Sequence, residues 1–162
     1  MKRGLRTAGL VVAALGLAVG IAEAGKGPKK PDTPFAIHVF TRSADTDVVD
    51  STNDVRKVIE DKKRDWFRLA EAPDEADMVL EITGRDFSQD KALIVRGRLT
   101  TANLLNADIV GQCIPGILDL GGPWKSAAAN MVKRIETFCR ETYADLAAAQ
   151  KKRAASSGPA GR

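Results

Sequence analysis

The chain is 162 residues long and formally +4, yet its basic excess sits at the two ends: Phe35–Gln150 holds 15 Lys and Arg against 19 Asp and Glu, a net of −4. A mildly acidic body leaves no electrostatic footprint for nucleic acid. One histidine and two distant cysteines provide none of the usual zinc spacings.

In chain order, Lys2, Arg3 and Arg6 precede the uncharged Ala/Gly/Val/Leu run Thr7–Ile21, which ends at Ala22-Glu23-Ala24. A basic start, a short apolar core and small residues at −3 and −1 form the pattern of a cleaved secretory signal. The core is shorter than the ~20 apolar residues of a membrane anchor, and no Cys stands at the cut, as lipid attachment would need. The expectation is cleavage after Ala24 and a periplasmic or secreted product without a transmembrane span. Gly25–Pro34, with three prolines, two glycines and no apolar side chain, reads as a flexible linker; residues 151–162 read as a disordered basic tail.

Between these ends lies one domain of 35–150. Ala36–Thr41 is a short run rich in β-branched and aromatic residues, which suits a buried strand. After an acidic loop, Ser51–Asp54 offer N-cap side chains, and Val55, Val58, Ile59 and Trp66 fall on one helical stripe, predicting a helix over Thr52–Trp66. Met78–Thr83 alternates, as does Ala92–Ala102, where Leu93, Val95 and Leu99 oppose Ile94, Arg96, Arg98 and Thr100. These two strands should form a hairpin, with Asn106–Cys113 as a weaker fourth strand. Gly121-Gly122-Pro123 then opens a long helix on which Trp124, Ala128, Met131, Ile135, Phe138, Thr142 and Leu146 recur. The fold class expected is α+β: an antiparallel-leaning sheet of three or four strands, β-α-β-β-(β)-α, with both helices on one face.

Two short segments, Ala76–Arg85 and Gly121–Ala128, resemble those of a group of uncharacterised exported bacterial α+β domains. That group is similar in outline to the N-terminal module of TolB and to lipoprotein activators of penicillin-binding proteins. The resemblance spans about Phe35–Tyr143 and implies a cell-envelope domain, with no activity to carry over.

The chemistry-bearing residues form no strong set. His38, the lone histidine, reads as structural, and a Ser-His-Asp site would have no Gly-x-Ser-x-Gly elbow. Asp45, Asp47, Asp50 and Asp54 lack the central glycine and terminal glutamate of a calcium loop. Arg96 and Arg98 share one strand face, and with Arg85 at the end of the paired strand they form a candidate basic patch; pairing with acids such as Glu81 would account for them equally. No metal or cofactor is expected. Two functions stay open: a non-enzymatic envelope module that binds a protein or anionic polymer, or a small hydrolase or transferase for envelope glycans using carboxylates such as Asp77, Glu81 and Asp86. Cys113 and Cys139, the only cysteines, are either bridged in an oxidising compartment or two buried thiols.

Overall fold

The computed structural model describes residues 30–114 and 122–156. The proposed signal, residues 115–121 and the last six residues lie outside them. Among the described residues the architecture is α+β, with three α-helices and a five-stranded mixed sheet. β1 (Phe35–Phe40), β2 (Phe67–Leu69), β3 (Met78–Phe87), β4 (Leu93–Thr101) and β5 (Asn106–Cys113) lie in the order β2-β1-β3-β4-β5. β1 pairs in parallel with β2 and with β3 over short stretches, while β3–β4–β5 form a longer antiparallel meander.

Period-2 alternation sorts the strands onto two faces. Phe35, Ile37 and Val39 of β1, Met78, Leu80 and Ile82 of β3, Val95 and Leu99 of β4 and Ile109 of β5 point to one side, all buried. The helices cover that side. α1 (Thr46–Lys62) contributes Val48, Val55, Val58 and Ile59; its first turn is held by the Asp45 carboxylate accepting from the Asp47 N–H, so it starts six residues earlier than expected and ends at Lys62. Trp66 is buried, as its hydrophobicity implies, but from the turn between α1 and β2.

α2 (Pro123–Glu141) lies diagonally across the sheet. A Cβ on Gly111 of β5 would run into the Ala127 carbonyl oxygen and lie 2.6 Å from Met131 Cβ, so the helix rests directly on the strand there. Three turns later Cys139 Sγ is 3.5 Å from Met78 Sδ on β3. The final helix is not continuous: it stops at Thr142, and α3 (Tyr143–Ser156) takes over. The Tyr143 ring meets the edge of Phe35, and Leu146 enters the core.

α3 also corrects the expected disordered tail, because it runs six residues past Gln150 and is tied down. Arg153 Nη2 lies 2.7 Å from Asp77 Oδ1, and Gln150 Nε2 donates to Asp77 Oδ2 and to the Pro34 carbonyl. Asp77, only 3% exposed, also accepts from the Ala36 N–H at 2.8 Å. A buried carboxylate needs such partners, and here they join β1, β3 and α3.

Candidate binding surface

Among the described residues the other sheet face carries no α-helix. Only its β1–β2 corner is covered, where the segment around a 3-10 turn (Pro73–Glu75) packs Ala70 and Ala76 on Ala36, and the Ala70 carbonyl lies 3.1 Å from His38 Nδ1. His38 is therefore a structural residue on the margin of this face. Its ring stacks on Phe40 at 5.6 Å, and the Arg42 guanidinium sits 5.7 Å from the Phe40 ring centroid.

Across β3, β4 and β5 the face combines half-buried Val79, Ile94 and Val110 with a ladder of charges. Arg42 Nε lies 3.7 Å from Glu81, Glu81 stands opposite Arg98 in the β3–β4 register, and Arg98 Nε lies 3.7 Å from Asp108. Arg96 reaches Asp86 at 4.0 Å. Arg96 and Arg98 are thus on one face as expected, with side chains 51% and 63% exposed. Exposed pairs of this length contribute little to stability; the cations stay available.

Arg85 does not join them. The register shifts between Ile82 and Gly84, so one extra residue, Thr83, is inserted into β3. A bulge reverses the side-chain parity of everything beyond it, and Arg85 therefore points to the helix side. Its guanidinium lies 3.6 Å from the centroid of Trp124, whose ring also meets Phe87 edge-on at 5.5 Å. Nη1 donates to the Asp47 carbonyl at 3.1 Å, with the Asp47 carboxylate at 3.5 Å. With its side chain 14% exposed, Arg85 is a structural clamp between β3, α1 and α2. Close by on α1, burial raises the Asp54 carboxyl above its ordinary value, and Lys125 and Arg85 offset only part of that.

Of the two alternatives for the cysteines the bridge is not formed: Cys113 and Cys139 are not bonded to each other. Cys113 pairs with Leu93 and Met78 pairs with Thr101, eight residues along β4. At a rise of ~3.3 Å per residue the two cysteines lie on the order of 25 Å apart, far beyond disulfide reach. Burial, with a smaller contribution from Glu136, pushes the Cys139 thiol up to about 12.

The three carboxylates offered for glycan chemistry do not converge. Asp77 is sealed at the base of the sheet, Glu81 lies on the open face beside Arg42, and Asp86 lies beyond the bulge against Arg96. Among the described residues no group of three or more His, Cys, Asp or Glu could hold a metal ion.

Sequence reasoning missed the wedge between β5 and α2, a cleft of about 270 Å³ lined by Asp108, Ile109, Val110, Arg134, Thr137, Phe138 and Glu141. Its only sequence signal is Gly111, whose missing side chain lets α2 settle on one end of β5 and so swing away from the other.

No family model matches the chain, and no curated protein matches it. In outline it is similar to two solved structures of PelC from Paraburkholderia phytofirmans. One is a leucine-to-methionine variant of the PelC dodecamer, with a TM-score of 0.42 and 13% identity over 68% of this chain and 92% of that one. The other is the PelC dodecamer in space group P6, with a TM-score of 0.39 and 13% identity over 67% of this chain and 87% of that one.

Proposed function

We propose that this chain is an exported cell-envelope module that works by binding, and that its uncovered sheet face is the surface that binds. The observation that carries the reading is the segregation of the fold. α1 and α2 lie on one side, while the other presents half-buried Phe40, Val79, Ile94 and Val110 among exposed Arg96, Arg98 and their acidic partners. Apolar side chains with a polar, charged rim suit a protein or polymer partner better than a small substrate, which needs an enclosed pocket. The Met1–Ala24 pattern and the resemblance to exported domains support placing that partner in the envelope.

The test is recovery of the tagged mature chain from its native envelope, beside the double variant Arg96→Glu, Arg98→Glu and a helix-side control, Lys133→Glu. Partner recovery should fall in the double variant only, with all three proteins melting alike. Equal recovery from all three would refute the open face as the binding surface.

A further inference from the structure

Antiparallel pairing directs alternate backbone groups of β5 inward to β4 and outward to the sheet edge. Two hydrogen bonds fix which are which. The Thr101 N–H of the β4 end donates to the Leu105 carbonyl at 2.9 Å, so odd-numbered residues face β4. The Gln112 N–H donates instead to Asn130 Oδ1 of α2 at 3.1 Å, so even-numbered residues face outward. Asn130 closes the edge at Gln112. The outward N–H and C=O groups of Asp108 and Val110 have no partner among the described residues.

Beside those two residues the diagonal path of α2 opens the wedge. Ile109, 7% exposed, and half-buried Phe138 give it an apolar floor. Arg134 lies toward the Gly111 end of the wall, next to the turn that touches Gly111, and Glu141 lies two turns further along the helix. The wedge thus has a hydrogen-bonding edge, an apolar centre and charges of opposite sign at its ends.

We propose that the β5 edge accepts an extended segment of a partner protein as a sixth strand, seated in the wedge between β5 and α2, a site independent of the open face. A strand antiparallel to β5 exchanges backbone hydrogen bonds with Asp108 and Val110 and turns the residue opposite Ile109 toward Phe138. The residues two before and two after it share that face. The one before lies opposite Gly111, within reach of Arg134, and the one after lies opposite Ala107, toward Glu141. The segment this fits therefore reads acidic, any, apolar, any, basic, in that chain direction. An extended segment suits the site better than a globular surface because the edge offers a row of outward backbone groups, those of Asn106, Asp108 and Val110, beside a narrow cleft.

The test uses the mature chain with a capped heptapeptide, Thr-Glu-Thr-Leu-Thr-Lys-Thr, and reads amide exchange by NMR. Saturating peptide should slow exchange at Asp108 and Val110. Val110→Pro removes one outward N–H without touching the β4 ladder, a position where an edge strand tolerates proline, and should weaken binding by at least about tenfold. Arg134→Glu should bind this peptide less well and prefer Thr-Lys-Thr-Leu-Thr-Lys-Thr, whose first lysine meets the new carboxylate while the second still meets Glu141. The proposal fails if no protection appears, if Val110→Pro binds equally well, or if binding is lost in Arg96→Glu, Arg98→Glu instead, which would put the peptide on the open face. It also fails if the chain alone is a dimer that Val110→Pro renders monomeric, since the occupant would then be a second copy.

Discussion

Arg85 lies 3.6 Å over the Trp124 ring although sequence parity assigns it to the opposite face of the sheet. The stack exists because Thr83 is an extra residue in β3, and it is closed by Asp47 on α1. A mostly desolvated cation over an indole, with a carboxylate and a carbonyl on its free edge, is among the stronger arrangements open to an arginine. Arg85→Ala should destabilise the domain by about 1–3 kcal/mol, whereas Arg96→Ala and Arg98→Ala should each cost no more than about 0.5 kcal/mol. Urea denaturation of the three variants checks this; equal effects would dissolve the distinction between clamp and patch.

Gly111→Ala probes the seat of α2. The added methyl would meet the Ala127 carbonyl oxygen and Met131 Cβ at 2.6 Å, both held by helix backbone. Neither is the far end of a flexible chain, so the helix itself must lift. Such overpacking costs about 1–3 kcal/mol or more, and a fall in melting temperature of several degrees is expected. An unchanged melting temperature would show that α2 is not pinned at this point.

The β3–β4 hairpin was legible because both strands alternate long enough for one face to declare itself, as Leu93, Val95 and Leu99 do against Arg96 and Arg98; β5 was fainter, with Gly111 in place of one inward side chain. β2 was not, since Phe67–Leu69 is three residues long and its place comes from parallel pairing with β1. The break at Thr142 was hidden because Phe138, Thr142 and Leu146 keep the i, i+4 spacing across it. Arg85 went to the wrong face because a bulge changes parity without changing composition. The wedge depends on the angle of α2, which no local pattern encodes.

The cysteines make a chemical prediction. Cys139 is fully buried against Met78, with its thiol pushed up to about 12 by burial and then by Glu136. The thiolate is the reactive form, so Cys139 should resist a disulfide-exchange reagent in the native protein. It should react only on unfolding, and the unfolded, unreduced chain should titrate two thiols. A titre of zero would mean that a bridge forms, and Cys113 of β5 and Cys139 of α2 could not then sit at opposite ends of β4.

Glu136 sets the acid limit of the fold. Its carboxylate receives Lys63 Nζ at 2.5 Å and Arg140 Nη2 at 2.7 Å, and Arg140 in turn lies 4.6 Å from the Trp66 ring centroid. The cluster fastens α2 to the turn between α1 and β2. Burial alone would raise this carboxyl, but the hydrogen bonds and charges of Lys63 and Arg140 outweigh it, and the group is held below its ordinary value of 4.5. A carboxyl whose folded value lies below its unfolded one stabilises the native state fully above about 4.5; that contribution is lost as pH falls through the lower folded value. Glu136→Gln removes the charge and keeps the shape. Because Lys63 and Arg140 are partly exposed and screened by solvent, the variant should be less stable at pH 7 by only about 1 kcal/mol. The gap should narrow toward zero in acid below the folded value, where the wild-type carboxyl is also neutral. Urea denaturation of both proteins at pH 7 and at successively lower pH measures the difference directly. A gap that stays constant with pH would show that Glu136 holds the helix by shape alone, and a gap that widens in acid would reverse the sign assigned to the shift.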